Sequence, residues 1–141
     1  MSKDFIGSYT GTGTKVIASV ISDGYFIHNH PDTPNSFANF SDTDLISAAT
    51  SNQAEISVIS QQTEMMYTIT RPEAGWPAPS VIQTAYDDAL TALYAYITAQ
   101  LQSGGMSQAA ASAYLTSHYD DVIESVATTI SATYSEEDVS A

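Results

Sequence analysis

A stretch rich in helix and strand breakers, residues 71–79, constrains the fold more than any other part of the sequence. It holds three prolines and one glycine and reads Arg71-Pro72-Glu73-Ala74-Gly75-Trp76-Pro77-Ala78-Pro79. Proline fixes φ and lacks a backbone N–H donor, so neither a helix nor a central strand is expected to run through it. The stretch therefore predicts a boundary between a part at 1–79 and a part at 80–141.

The first part has the pattern of short strands around one short helix. After a loop at 31–36 that is rich in turn-forming residues, Ser41 is a suitable N-cap, and the helix is expected to end near Asn52. β-Branched and aromatic side chains predict strands on either side of this helix. The first two of these strands are close enough in sequence to form a hairpin. The predicted strands are 15–21, 25–28, 54–60 and 64–70.

The second part carries two apolar stripes at helical spacing. Ser80 is a candidate N-cap for the first helix, the glycines after Ser103 end it, and Ser107 caps the second. Two such helices predict an antiparallel hairpin that packs on the first part or on a partner, with an acidic run at 135–138 after it. The fold class is therefore α/β (α+β). The two stripes are Ile82, Tyr86, Leu90, Leu93, Ile97, Leu101 and Ala111, Leu115, Tyr119, Val122, Val126, Ile130.

The charge balance excludes several function classes. Three cations, Lys3, Lys15 and Arg71, face 16 acidic residues, for a net charge of −13. Such a chain has no basic patch for phosphates, which argues against nucleic acid and anionic membranes as partners. It has no cysteine, no apolar signal region near Met1 and no run long enough to span a membrane. A cytoplasmic or virion-associated protein is expected, and a high-salt host also accounts for the charge.

Two histidines stand two residues apart at the end of a predicted strand. Side chains at i and i+2 lie on the same face of a strand, so His28 and His30 present their imidazoles together. Asp44, in the first turn of the next helix, can supply a third metal ligand. Two histidines and an aspartate leave one tetrahedral position of a zinc ion open, as in catalytic zinc sites. Ser41 lies one turn before Asp44 and can direct its hydroxyl at a developing oxyanion.

The same residues also have purely structural interpretations. Ser41-x-x-Asp44 resembles a capping box, in which the serine and the acidic residue satisfy backbone N–H groups at the helix start. Histidines on one strand face are often partly buried polar residues without a ligand. Trp76 is expected to pack at the boundary, and His118 is expected on the solvated face of the second long helix, with a role as a fourth ligand if that helix covers the site.

The ordered set His28-Asn29-His30-Pro31 and Phe40-Ser41-Asp42-Thr43-Asp44-Leu45 resembles the His-x-His-Pro and Ser-x-x-Asp signature of the JAB/MPN (JAMM) metallopeptidase superfamily. The motif residues are most similar to those of the bacterial and phage branch, which includes RadC-like proteins and phage- and toxin-associated members. The resemblance covers about residues 13–77. It implies a small, curved, mixed sheet that carries a zinc site at its edge and hydrolysis of peptide or isopeptide bonds. His28, His30 and Asp44 match the zinc ligands, and Ser41 matches the serine that supports the tetrahedral intermediate.

The chain departs from this family at the general base. The family uses a glutamate on a strand before the histidines, whereas no glutamate precedes Glu55 here. Asp4 is the substitute with a shorter side chain, and the sequence is expected to be a shortened version of the family. The spacer between His30 and Ser41 is also longer than the family's usual one. General acid–base assistance is typically worth about 10²–10⁴ in rate, so its loss can abolish turnover.

Three functions follow from these patterns. The first is an interaction or assembly module of a virus or mobile element that keeps a JAMM-like zinc site. The second is an active zinc-dependent metallopeptidase, and the third is a structural subunit with a chance motif. Tyrosine is favoured at interfaces, and the six tyrosines expected on the two long helices exceed what one helical hairpin can bury against itself. They predict a protein partner or homo-oligomer through Tyr86, Tyr94, Tyr96, Tyr114, Tyr119 and Tyr134.

Overall fold

A computed structural model describes residues 23–30 and 37–140. Seven elements follow one another in this part of the chain. The predicted strand at 15–21, the loop at 31–36 and Asp4 lie outside the described residues. The elements are β1 (Tyr25–His30), α1 (Asp42–Thr50), β2 (Glu55–Ser60), β3 (Met65–Thr70), α2 (Pro79–Ser103), α3 (Gln108–Ile130) and β4 (Thr133–Asp138).

The strands form one mixed sheet in the order β1-β2-β3-β4. β1 runs parallel to β2, and α1 is the helix in the connection between them, since parallel neighbours need a crossover. β2 and β3 are antiparallel around a tight turn, and β4 adds antiparallel to the other side of β3. The α/β fold class with C-terminal helices is therefore confirmed.

The helix ends follow the predicted capping chemistry at three of four positions. Ser41 begins α1 with a full capping box, and Ser107 begins α3 by accepting the N–H of Ala110. Gly104 ends α2 in the left-handed conformation, with φ at 77°. The predicted cap at Ser80 is wrong, because α2 begins at Pro79 and Ala78 is the N-cap residue. Proline suits this first helical position, where its missing N–H would have no partner in the helix.

β4 was not expected from the sequence, which predicted only an acidic end. Its pattern Thr133-Tyr134-Ser135-Glu136-Glu137-Asp138 has three successive acids, which have low strand propensity. The chain nevertheless reverses at Ser131, a left-handed C-cap, and pairs with β3 from Thr133↔Thr70 to Asp138↔Met65. Tyr134 is therefore a strand residue, and its predicted place on a helix is wrong.

One hydrophobic cluster contains residues from both sides of the 71–79 stretch. Phe40 and Leu45 meet side chains from β2, β3, α2 and α3 there. Trp76 packs against the same cluster and donates its indole N–H to the Gln53 carbonyl at 2.7 Å. No described helix is long and apolar enough to cross a membrane. The core thus brings Tyr119 of α3 against Phe40, which lies two residues before the start of α1.

Candidate metal centre

β1 presents the two histidines on the same side of the sheet. Exposure alternates along the strand, with Ile27 and Asn29 outward and His28 and His30 half-buried. Pairing with β2 fixes this register, because His28 lies opposite Val58 and His30 opposite Ser60. A shift by one residue would turn both imidazoles to the other face. The predicted juxtaposition of the histidines is present.

The capping box of α1 fixes the third side chain. Asp44 is the third residue of the helix, and its Oδ2 accepts the backbone N–H of Ser41 at 2.9 Å. The Ser41 Oγ in turn accepts the backbone N–H of Asp44 at 3.2 Å. The first contact holds the carboxylate back over the helix N-terminus, where the helix dipole favours negative charge. The structural interpretation of Asp44 as part of a capping box is therefore confirmed, and its carboxylate also faces the two histidines.

His28, His30 and Asp44 converge on one point. The two Nε2 atoms are 3.2 Å apart. His28 Nε2 lies 3.4 Å from Asp44 Oδ1, and His30 Nε2 lies 3.3 Å from Asp44 Oδ2. Two ligands of a tetrahedral zinc ion with bonds of about 2.0–2.1 Å stand about 3.3 Å apart, so this spacing matches. These three residues form the one group of three or more potential metal ligands in the part of the chain that the structure describes.

The tautomer of His30 suits a metal. Its Nδ1 lies 3.2 Å from the Phe37 carbonyl oxygen, which can only accept, so Nδ1 carries the proton. Nε2 of the neutral ring then points a lone pair at the other two ligands. A carbonyl on the far nitrogen is the usual second partner of a metal-binding histidine. His30 Nε2 can therefore bind a metal ion, or accept a hydrogen bond from His28 Nε2 at 3.2 Å.

The pKa shifts reflect the same convergence. Burial by itself lowers the pKa of His30, but the hydrogen bond and charge of Asp44 together with the backbone of residues 37 and 38 leave it above its usual value. Burial raises the pKa of Asp44, yet hydrogen bonds to His28 and His30 hold it far below its usual range. The two histidines thus favour the charged carboxylate of Asp44, which is the form that binds a metal ion.

His28 is held less firmly than His30, because no hydrogen bond to residues 23–30 or 37–140 orients its second ring nitrogen. Its Nδ1 is buried and has no hydrogen-bond partner among the described residues. The ring stacks on Phe26 at a centroid distance of 5.6 Å and meets His30 edge-on at 5.0 Å. Stacking orients the imidazole without satisfying its second nitrogen. The three ligand side chains keep 12%, 20% and 21% exposure for His28, His30 and Asp44, which leaves one side of the group accessible.

The other predicted site residues are placed differently. Ser41 has its oxygen engaged in the helix cap, and its own O–H remains a donor. Asp4 lies outside the described residues. His118 stacks on Tyr114 at 3.7 Å and bonds its carbonyl at 3.0 Å, and it is not part of the metal-ligand group. The predicted role of His118 as a helix-surface residue fits these contacts.

Sequence reasoning missed the residues that support the ligands. Phe37 supplies the carbonyl for His30, and Tyr119 packs on Phe37 from α3. The helical stripe placed Tyr119 in the core, but no sequence signal says which segment it meets. Comparisons of the chain with protein-family models, curated proteins and solved structures found no match. The geometry of the site therefore carries the functional argument.

Proposed function

We propose that the chain binds one zinc ion through His28, His30 and Asp44 and that it works as a JAMM-like interaction module. The observation that supports the metal is the convergence of four atoms. The two Nε2 atoms are 3.2 Å apart, and His28 Nε2 and His30 Nε2 lie 3.4 and 3.3 Å from different oxygens of the Asp44 carboxylate. Lone pairs at this separation repel one another unless a proton or a metal ion lies among them. Buried groups that need a common cation are typical of metal sites.

The donor set favours zinc over the alkaline-earth ions. Two imidazoles and one carboxylate suit zinc and its transition-metal neighbours, whereas magnesium and calcium prefer oxygen ligands throughout. Copper and nickel accept the same donors but prefer square or tetragonal arrangements. The near-equal ligand separations suit a tetrahedral ion better. Zinc is therefore the ion proposed here.

The interaction role rests on aromatic side chains that the fold leaves exposed. Tyr94 and Tyr96 on α2 are 45% and 46% exposed. Tyr96 meets Tyr114 of α3 at 5.2 Å, and Tyr114 stacks on His118. This row crosses from one helix to the other on the hairpin surface. Amphipathic rings that lose little entropy on binding are favoured at protein interfaces. Tyr86 and Tyr119 are buried and do not belong to that surface.

Hydrolysis of a peptide or isopeptide bond is the second candidate, since three protein ligands leave a coordination position free. Zinc bound there would supply a polarised carbonyl and an acidified water. The chain's own contribution is the Ser41 hydroxyl, which can donate to an oxyanion, and an accessible face. A general base is absent from the three-residue group, so turnover needs one from Asp4, from a downstream residue or from a partner chain.

Cobalt substitution with a hydrolysis assay tests both functions. The visible spectrum of the Co²⁺-loaded chain should show the intense bands of a four-coordinate ion, and His30→Ala should lose them. A weak octahedral spectrum that is the same in the wild type and in His30→Ala would contradict the proposed site. The zinc-loaded chain is then assayed on a peptide and on an isopeptide-linked lysine substrate. Metal binding without cleavage supports the module, and cleavage that is lost in His30→Ala establishes the hydrolase instead.

A further inference from the structure

The segment at residues 37–40 connects the two halves of the proposed metal centre. Its first residue, Phe37, accepts the His30 Nδ1–H through its carbonyl. Its last residue, Phe40, directly precedes Ser41, whose capping box holds Asp44. A displacement of this connecting segment therefore moves the proton acceptor of one ligand and the helix start that carries another. Its position sets the distance between His30 and Asp44.

Tyr119 of α3 holds the connecting segment at both ends. Its ring lies flat on the Phe37 ring, with a centroid separation of 3.8 Å and an interplanar angle of 3°. Its hydroxyl donates to the Phe40 carbonyl at 2.6 Å. One side chain thus contacts the residue that orients His30 and the residue that opens the helix of Asp44. The contact to Phe40 spans 79 residues of sequence.

Tyr86 of α2 is the second partner of the Tyr119 hydroxyl. Its hydroxyl is 2.7 Å from the Tyr119 hydroxyl. Because the Tyr119 proton is used on the Phe40 carbonyl, Tyr86 is the donor and Tyr119 the acceptor in this pair. Burial raises the pKa of Tyr119, with Tyr86 as a further cause, so the hydroxyl stays protonated and remains a donor. Tyr119 is 2% exposed and has no alternative partner in water.

We infer that Tyr119 is a positioning residue of the metal centre, so that the helical hairpin sets the metal affinity of a site on the sheet and α1. The inference rests on the proposed zinc site. The Tyr119 ring acts on His30 through Phe37, and the Tyr119 hydroxyl acts on Asp44 through Phe40 and Ser41. Partners that orient metal ligands typically alter metal affinity by about 10–100-fold when removed.

Three variants of the full chain separate this role from ordinary core packing. Tyr119→Phe keeps the ring and removes the hydroxyl bond to Phe40. Tyr119→Leu removes both the hydroxyl bond to Phe40 and the stacking of the ring on Phe37. Tyr86→Phe is the matched control, because it deletes a hydroxyl from the same buried pair and leaves the bond from Tyr119 to Phe40. Zinc affinity is measured by competition with a chromophoric chelator, and the free energy of unfolding is measured for each metal-free protein.

We expect Tyr119→Phe to weaken zinc binding roughly tenfold and Tyr119→Leu up to about 100-fold. Tyr86→Phe should stay within about twofold of the wild type in zinc affinity while losing a similar amount of stability, because it removes one hydrogen bond from the same buried pair. Equal zinc affinity in Tyr119→Phe and wild type overturns the inference. An equal loss in Tyr86→Phe and Tyr119→Phe also overturns it, since core stability alone then explains the effect.

A second readout keeps the inference testable if the wild type binds no metal. The ¹⁵N shifts of the His30 ring report which nitrogen is protonated, and the Asp44 backbone amide reports the capping box. In metal-free Tyr119→Phe the Asp44 amide should shift while the His30 ring changes little, and Tyr119→Leu should shift both. Failure to bind zinc with these shifts present rejects the proposed function alone. Unchanged signals in both variants reject the positioning role.

Discussion

The two ends of the helical hairpin use tyrosine in opposite ways. At the end near the sheet, Tyr86 and Tyr119 are buried, hydrogen-bonded to each other and connected to Phe40. About 15 Å along α2, at ten residues and 1.5 Å each, Tyr96 is 46% exposed. We call these two regions the site end and the loop end. The loop end has Tyr96 and Tyr114 in contact at the surface and lies toward Gly104.

The difference shows how one supersecondary unit can serve two purposes. Buried hydroxyls at the site end must have partners, and the Tyr119 hydroxyl finds one in the connecting segment that lies between the candidate ligands. Exposed rings at the loop end have no such duty and remain available for contact with another protein. Substitutions should therefore separate cleanly, with metal affinity and stability governed by the site end and association governed by the loop end.

The largest effect is expected for removal of a ligand charge at the site end. Asp44→Asn keeps an oxygen for the capping box but loses the anionic ligand. Zinc affinity should therefore fall by more than about 100-fold, which is the upper end of the effect of removing a partner that only orients a ligand. Asp42→Asn is the matched control, because Asp42 lies in the same helical turn and bonds Gln83 and Thr43 instead. Isothermal titration with zinc compares the two. Equal losses would mean that general charge holds the metal.

The next largest effect separates the two ends by stability. Ile123 is fully buried in the core beneath the site end, so Ile123→Ala should cost about 2–5 kcal/mol of unfolding free energy. Tyr96→Ala at the loop end should change it by about 0.5 kcal/mol or less, as surface substitutions usually do. Urea denaturation measures both. A large loss in Tyr96→Ala would show that the aromatic row stabilises the fold itself.

A smaller effect compares two helix caps of the same type. Ser41→Ala and Ser107→Ala each remove a side chain that accepts a backbone N–H at a helix start, and each should cost about 1 kcal/mol. Ser41→Ala should also weaken zinc binding, because its cap orients Asp44. Ser107→Ala lies at the loop end and should leave zinc affinity unchanged. Thermal denaturation and zinc titration of both variants check this, and a zinc effect in Ser107→Ala would contradict the separation of the two ends.

The smallest effect is a pH dependence next to Tyr119. Burial raises the pKa of Asp120, the hydrogen bond from Asn39 opposes this, and the charges of Glu136 and Asp121 add to it. The native state therefore favours the neutral acid, and its contribution to stability is lost as pH rises through the folded-state pKa. Asp120→Asn should raise the melting temperature at pH 7 and give no gain near pH 3.

Asp121→Asn provides the control for this pH effect. It changes the net charge by the same amount at an exposed position. A pH-independent gain in Asp120→Asn, or an equal gain at pH 7 in Asp121→Asn, would assign the effect to net charge rather than to burial. Melting curves at both pH values distinguish these cases.

The sequence predicted the parts of the fold that depend on local chemistry. The capping residues Ser41 and Ser107 and the left-handed Gly104 act through neighbours a few residues away, so a pattern can reveal them. β4 could not be predicted, because its three successive acids have low strand propensity and only the pairing with β3 places them in a sheet. Tyr134 lies in this strand, so its place could not be predicted either.

The site divides along the same line. Strand alternation put His28 and His30 together, and helical spacing oriented Ser41 and Asp44, since both are short-range geometry. The distance between the strand and the helix depends on the connecting segment and on Tyr119, which is 79 residues from the carbonyl that it holds. No local pattern encodes such a contact. The juxtaposition of His28, His30 and Asp44 was therefore predictable, and the contact of Tyr119 with the connecting segment was not.

Metal analysis of the chain purified without added zinc tests the central claim most directly. We expect about one zinc ion per wild-type chain, as in a single four-coordinate site. The same preparation of His28→Ala should lose it, and His118→Ala should keep it, because the third histidine lies outside the ligand group. The proposed zinc site would be contradicted if the wild-type protein is purified without metal and also fails to take up zinc. A zinc content that is unaffected by His28→Ala would contradict it as well.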